Sequence, residues 1–120
     1  MLFTISDLET MQKEAERFCK FLAEHNATQE GVFHSRLVFN ELVGNVLRHA
    51  QAVATVRGEI QNGILEVCVY STNAFVPPQK TKLVDVMEEH GRGLFLVDSV
   101  CVERTLTHDG AICVKIKVID

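Results

Sequence analysis

The stretch AVATVRGEIQNGILEVCVY, residues 52–70, contains two β-rich runs joined by Asn62-Gly63, a pair that favours the tight two-residue turn of a β-hairpin. A second hairpin is expected at the end of the chain, in CVERTLTHDGAICVKIKVID (101–120), where Asp109-Gly110 is the turn signal. There Val114, Ile116 and Val118 fall on one face and Lys115 and Lys117 on the other. Upstream the period changes. After a short apolar start, Ser6 reads as an N-cap with Glu9 three residues on, and Leu8, Met11, Ala15, Phe18 and Leu22 recur at helical spacing, which predicts a helix to about His25. NATQEG interrupts it, and a second helix is expected over 28–50. Between the hairpins, STNAFVPPQ (71–79) reads as a loop because Pro77 and Pro78 remove backbone donors. TKLVDVMEEH (81–90) reads as a short helix or a mobile segment, and GRGLFLVDSV (91–100) as a Gly-rich turn opening a further helix. Helix, helix, hairpin, short helix and hairpin predict an α+β fold: a two-layer α/β sandwich with helices on one face of a mixed, mostly antiparallel sheet.

At 120 residues the chain suits one domain with one core, and 47% hydrophobic against 23% charged residues is ordinary for a globular protein. A net charge of −4, with 12 scattered Lys and Arg, lacks the concentrated basic face that a nucleic-acid partner requires. The start, MLFTISDLETMQKE, lacks signal-peptide organisation, and no apolar run approaches the ~20 residues of a membrane span, so no membrane partner and a cytoplasmic location are expected. Cys19, Cys68, Cys101 and Cys113 are isolated, without a C-x-x-C pair or His at metal-ligand spacing. They read as reduced, small core residues rather than zinc ligands.

Three stretches could carry chemistry. In FNELVGNVLRHA (39–50), Asn45 is a mediocre helix residue, worth about 0.5 kcal/mol less than Ala, so its presence needs a reason. At ~100° per residue Asn45 lies about 40° to one side of Glu41 and Arg48 about 20° to the other, while Phe39, Leu42, Val43, Val46 and Leu47 span the opposite arc. The stripe reads on pattern alone as the solvated side of an amphipathic helix. The flanking Leu37, Val38 and Gly44 suit instead the half-covered wall of a pocket. His49, at the stripe's edge, has the terminal carbonyls of the helix as an alternative partner to a ligand. HGRGLFLV (90–97) has the character of an anion site, since a Gly-rich turn before a helix presents free N–H groups, although Gly91 could merely cap and Gly93 merely ease the turn. In VYSTNAFVPP (69–78), Thr72 and Asn73 could face a ligand or serve the turn. Asp85, Glu88 and Glu89 read as a solvated helix face rather than a metal site.

Taken together, E-x-x-x-N-x-x-x-H-A on a helix, a hairpin, a loop with a Phe and a Pro, then G-R-G-L-x-L-V and a terminal hairpin resemble the GHKL (Bergerat-fold) ATP-binding domain. The resemblance is closest to the bacterial anti-sigma-factor serine/threonine kinases and spans nearly the whole chain. It implies the histidine-kinase-like ATPase fold and an ATP- and Mg²⁺-binding regulator that phosphorylates a Ser or Thr of a partner protein. It also implies sequestration of a partner such as a sigma factor or an anti-anti-sigma-like protein, and a homodimer, as is common among such relatives.

By the same resemblance Asn45 coordinates Mg²⁺ and Glu41 is the base or orienting carboxylate. Gly91, Arg92, Gly93 and Leu94 cradle the phosphates, with His49, Thr72 and Phe75 as further nucleotide contacts, and Pro78 to His90 form the lid. Two positions depart from the pattern. Where the family has D-x-G-x-G, with an Asp that accepts from the adenine amino group, the chain has Tyr70-Ser71-Thr72-Asn73-Ala74. After Gly110 stands Ala111, where the family usually has Thr. Losing the charge-assisted bond weakens adenine binding by about 1.5 to 3 kcal/mol, roughly tenfold to a hundredfold or more. The alternatives are a degenerate, non-catalytic GHKL module acting by protein binding alone, and a phosphate-site binder of another ligand with Tyr70 stacked where adenine bonds.

Overall fold

The alternation along β2 (Ala54–Gln61) and β3 (Ile64–Ser71) sends Ala54, Val56, Leu65, Val67 and Val69 to one face, and that face is where the helices pack. The computed structural model describes residues 1–50, 53–71, 97–107 and 111–119. In order these form β1 (Leu2–Ile5), α1 (Leu8–Glu24), α2 (Gln29–Asn45) with a π-helical turn over Val46–Ala50, then β2, β3, β4 (Glu103–Leu106) and β5 (Ile112–Lys117). A further helical turn spans 97–100. The fold is α+β: one five-stranded sheet in the order β1-β2-β3-β5-β4, with α1 and α2 laid on one side. Where a mixed sheet was expected, every pairing among the described strands is antiparallel. No helix of the described residues is long and apolar enough to cross a membrane.

The hairpin turn is as expected. Asn62 and Gly63 both take left-handed φ, 54° and 77°, the geometry whose twist matches paired strands. Gln61 therefore faces Ile64, and the register runs without interruption to Ala54 opposite Ser71. In β5, Val114 and Ile116 are buried while Lys115 and Lys117 are exposed, again as the alternation predicts. The second turn, with Asp109 and Gly110, lies outside the described residues. Its flanks are joined by Thr107 N–H to the Ala111 carbonyl and by Ala111 N–H to Thr107 Oγ1, each at 2.9 Å.

Three further features differ from the sequence reading. The apolar start is a strand: Leu2 to Ile5 pair with Arg57 to Ala54, and four residues are too few for the pairing to be legible without the partner edge. The N-cap of α1 is Asp7 rather than Ser6, with Asp7 Oδ1 accepting from Thr10 N–H at 2.7 Å. Cys68 and Cys113 are joined as a disulfide, not free, because β3 and β5 place them directly opposite each other with Cα atoms 4.0 Å apart. Cys19 and Cys101 are free thiols, as expected.

Phe3, Phe18 and Phe39 join the two layers: Phe18 stacks on Phe39 at 5.1 Å between centroids, and Phe3 meets both edge-on at 6.3 Å. Each such pair adds about 0.5 to 1.5 kcal/mol beyond area burial. The start of α2 is fixed by Thr28, whose Oγ1 accepts from Gly31 N–H and whose own N–H donates to the Val118 carbonyl at 2.8 Å. That contact sets α2 against the end of β5 so closely that a Cβ on Gly31 would stand 2.8 Å from the Val118 backbone.

Ala is worth about 1 kcal/mol more than Gly inside a helix, so two glycines of α2 separate propensity from packing. Gly31→Ala forces two backbones apart and lowers stability by about 1 to 3 kcal/mol, whereas Gly44→Ala meets only the movable Arg48 guanidinium at 3.4 Å and raises it by up to about 1 kcal/mol. Urea unfolding midpoints decide both. The cap of α1 has a pH signature, because the hydrogen bond from Thr10 N–H holds the Asp7 carboxyl below its ordinary value. Its contribution is complete above the usual carboxylate range and disappears as pH falls through the lowered value. Asp7→Ala therefore melts below the wild type at pH 7 and alongside it in strong acid, while Asp7→Asn keeps the cap at both.

Candidate functional site

From its contact with Val118, α2 runs 17 residues, about 25 Å, to the opposite end of the sheet. At that end α2 stops, β2 begins and β3 finishes, with Ala54 opposite Ser71. The last residue of α2 is Asn45. It is 8% exposed, buried with Leu42, Val43 and Gly44, so the reading of a solvated stripe fails at its central residue. Glu41 is half-buried and Arg48 exposed, which makes the stripe a gradient from interior to solvent rather than a wet face.

The buried amide is held by one described bond, in which Arg48 Nη2 donates to Asn45 Oδ1 at 3.2 Å. Gly44 leaves room for this, since the Arg48 guanidinium lies in the space a side chain there would touch. Immediately after Asn45 the helix widens into the π-helical turn Val46–Ala50. Such turns shift the register of side chains by one residue and occur often at functional sites. No described cation pairs with the Glu41 carboxylate.

At the same end of the sheet Ser71 Oγ is buried without a hydrogen-bond partner among the described residues, a group that costs about 1 to 3 kcal/mol when left unpaired. Ser71 shares the parity of Val67 and Val69, which face the helices. Tyr70 lies opposite Thr55 on the other face with Cys68, so it cannot stack over a ligand lodged beside Asn45. The polar group that β3 turns inward at this end is therefore the Ser71 hydroxyl. The signal was available in the sequence: counting alternate residues back from Ser71 reaches the apolar Val69 and Val67, which assigns Ser71 to the interior face. Ala111 is fully buried, with its N–H and carbonyl both bonded to Thr107.

The backbone of His49 belongs to the π-helical turn, but its side chain, like Thr72, Phe75, Gly91, Arg92, Gly93, Leu94 and the span from Pro78 to His90, lies outside the described residues. The described site is thus a carboxylate, a buried amide, an inward hydroxyl and a guanidinium. No group of three or more His, Cys, Asp or Glu able to hold a metal occurs among the described residues. A hard cation here would take the Asn45 carbonyl oxygen and complete its shell from phosphate and water, which Mg²⁺ accepts and a site built wholly of protein ligands does not require. The Asn45 oxygen has a second lone pair beyond the one Arg48 engages, so the donor chemistry fits. No protein-family model matches the chain, and no curated protein sequence matches it.

Removing the unpaired hydroxyl should relieve its desolvation without opening a cavity. Ser71→Ala is expected to raise stability by about 1 kcal/mol in chemical denaturation, whereas the same change at Ser35, whose buried Oγ donates to the Gly31 carbonyl at 2.7 Å, lowers it by about the same amount.

Proposed function

We propose that the chain is an ATP- and Mg²⁺-binding regulatory protein with the histidine-kinase-like ATPase fold. It transfers the γ-phosphate to a Ser or Thr of a partner protein and sequesters a regulatory partner, such as a sigma factor or an anti-anti-sigma-like protein. The observation that carries this reading is the burial of Asn45 at the end of α2, one turn from Glu41 and one turn before Arg48. An amide kept in the interior where Ala or Leu would be more stable is the kind of local sacrifice that function explains.

Asn45 Oδ1 would hold Mg²⁺, which when bound neutralises triphosphate charge. Arg48 would stand beside the same phosphates as a second, movable cation, its guanidinium being exposed and its bond to Asn45 long. Glu41 would orient the attacking hydroxyl and take its proton at a carboxylate oxygen, a role open to a half-buried carboxylate with no described cation beside it. Phosphoryl transfer asks little else of the protein than positioning and charge neutralisation. The second reading, a module that keeps the architecture and acts by protein contact alone, draws support from Tyr70 lying on the far face of the sheet and from the methyl of Ala111 where the resembling family usually has a hydroxyl.

Calorimetric titration with ATP separates the two. Binding in the micromolar to millimolar range, about 4 to 8 kcal/mol, is expected with Mg²⁺ and weakens when EDTA removes the metal. Asn45→Ala abolishes the metal-dependent part, and Glu41→Gln binds as the wild type does while losing phosphate transfer. No heat at millimolar nucleotide from the folded protein leaves the binding module as the function.

A further inference from the structure

The face of the sheet turned away from the helices carries a row of side chains running directly across four strands: Arg57 of β2, Cys68 of β3, Cys113 of β5 and Thr105 of β4. Cys68 is 4% exposed and Cys113 is half-buried, so of the two bonded residues Cys113 is the more open to solvent. Val67 and Val114 are paired beneath this row and fully buried, while β3 is held on its other side by β2 and β5 by β4. Breaking the S–S bond therefore removes no ladder bond and uncovers no core residue.

We propose that Cys68 and Cys113 form a reversible dithiol/disulfide redox pair, opened by thiol reductants at Cys113 and closed again by disulfide oxidants, with Arg57 assisting departure of the Cys68 sulfur. A small thiolate attacks Cys113 Sγ, the Cys68–Cys113 bond breaks, and its electron pair leaves with Cys68 as thiolate. That thiolate takes a proton from water, and its charge forms on the residue whose direct cross-strand partner is the cationic Arg57. A second thiolate displaces Cys113 from the mixed disulfide, so two small thiols become one disulfide and the protein gains two thiols. The reverse consumes one small disulfide and releases two thiols. Burial raises the Cys19 thiol, against a partial offset from Arg36, and burial followed by Asp98 raises that of Cys101, which lowers the thiolate fraction of both.

The pair also has a structural consequence. The cysteines are 45 residues apart, and Cys68 stands three residues before Ser71 while Cys113 directly follows Ile112, the first residue of β5. Oxidation thus staples the base of the connection that leaves β3 at the end of the sheet where Asn45 lies.

The test is differential alkylation of the full chain with iodoacetamide, read by mass spectrometry, after equilibration with oxidised glutathione or with dithiothreitol. The oxidised, denatured protein is expected to label at Cys19 and Cys101 alone. The reduced protein labels at all four cysteines with its circular dichroism unchanged, and oxidised glutathione restores the first pattern. Amide hydrogen exchange at Val69 and Ile112 rises several-fold on reduction while that of α1 and α2 is unchanged, and Arg57→Gln slows reduction several-fold. Labelling of Cys68 and Cys113 after oxidised glutathione, reduction only with loss of the folded spectrum, or an Arg57→Gln rate equal to the wild type would each overturn the proposal.

Discussion

The two left-handed residues at Asn62 and Gly63 close β2 onto β3 with no slack, and every later pairing in the sheet inherits the register they impose. The side-chain period of a strand is two, so a slip of one residue would exchange the faces of β3. Val67 and Val69 would leave the core, Cys68 would lose Cys113, and Tyr70 rather than Ser71 would point toward the helices. Core, disulfide and candidate site all depend on that one turn. The chain end reinforces it: Val118 and Ile119 N–H groups both donate to the Gly63 carbonyl, at 2.9 and 3.2 Å.

Helix α2 obeys a second constraint, set by its two ends. At the first, Thr28 and Gly31 press it onto Val118 with no room for a methyl group. Its length then delivers Asn45 to the far end of the sheet, where β2 starts and β3 stops. Both departures from an optimal interior, the buried amide of Asn45 and the unpaired hydroxyl of Ser71, occur at this end. Elsewhere the buried polar side chains are partnered, Ser35 by the Gly31 carbonyl and Glu14 by Arg17, around a hydrocarbon core that holds the Phe3, Phe18 and Phe39 cluster. At the end that holds Asn45 and Ser71 the helix widens into a π-helical turn, the kind of irregularity that often accompanies a functional site.

The central strand β3 serves both faces. Its inward residues end in Ser71 at the site, and its outward residues carry Cys68 into the redox row three positions earlier. The two groups belong to the same eight-residue strand. A covalent staple across β3 and β5 limits how far their ends can part, and the candidate site occupies one of those ends.

Period and turn chemistry made much of this legible in the sequence. The Asn62-Gly63 hairpin, the split of Val114, Ile116 and Val118 from Lys115 and Lys117, the start of α2 at Thr28 and the α+β class all follow from local pattern. The strand at Leu2–Ile5 did not, since a four-residue run becomes a strand only when the edge of β2 is there to bond it. The polar stripe of Glu41, Asn45 and Arg48 was visible, but whether Asn45 met water or core depended on how far the sheet extends beneath the end of α2. The four cysteines looked alike in sequence, and only the β3–β5 register brings Cys68 opposite Cys113 while leaving Cys19 and Cys101 apart. Local sequence determined which elements form and which face of each is apolar, because those depend on neighbours a few bonds away. Burial of Asn45 and the cysteine pairing were decided by tertiary structure, because each depends on residues distant in the chain arriving at the same place.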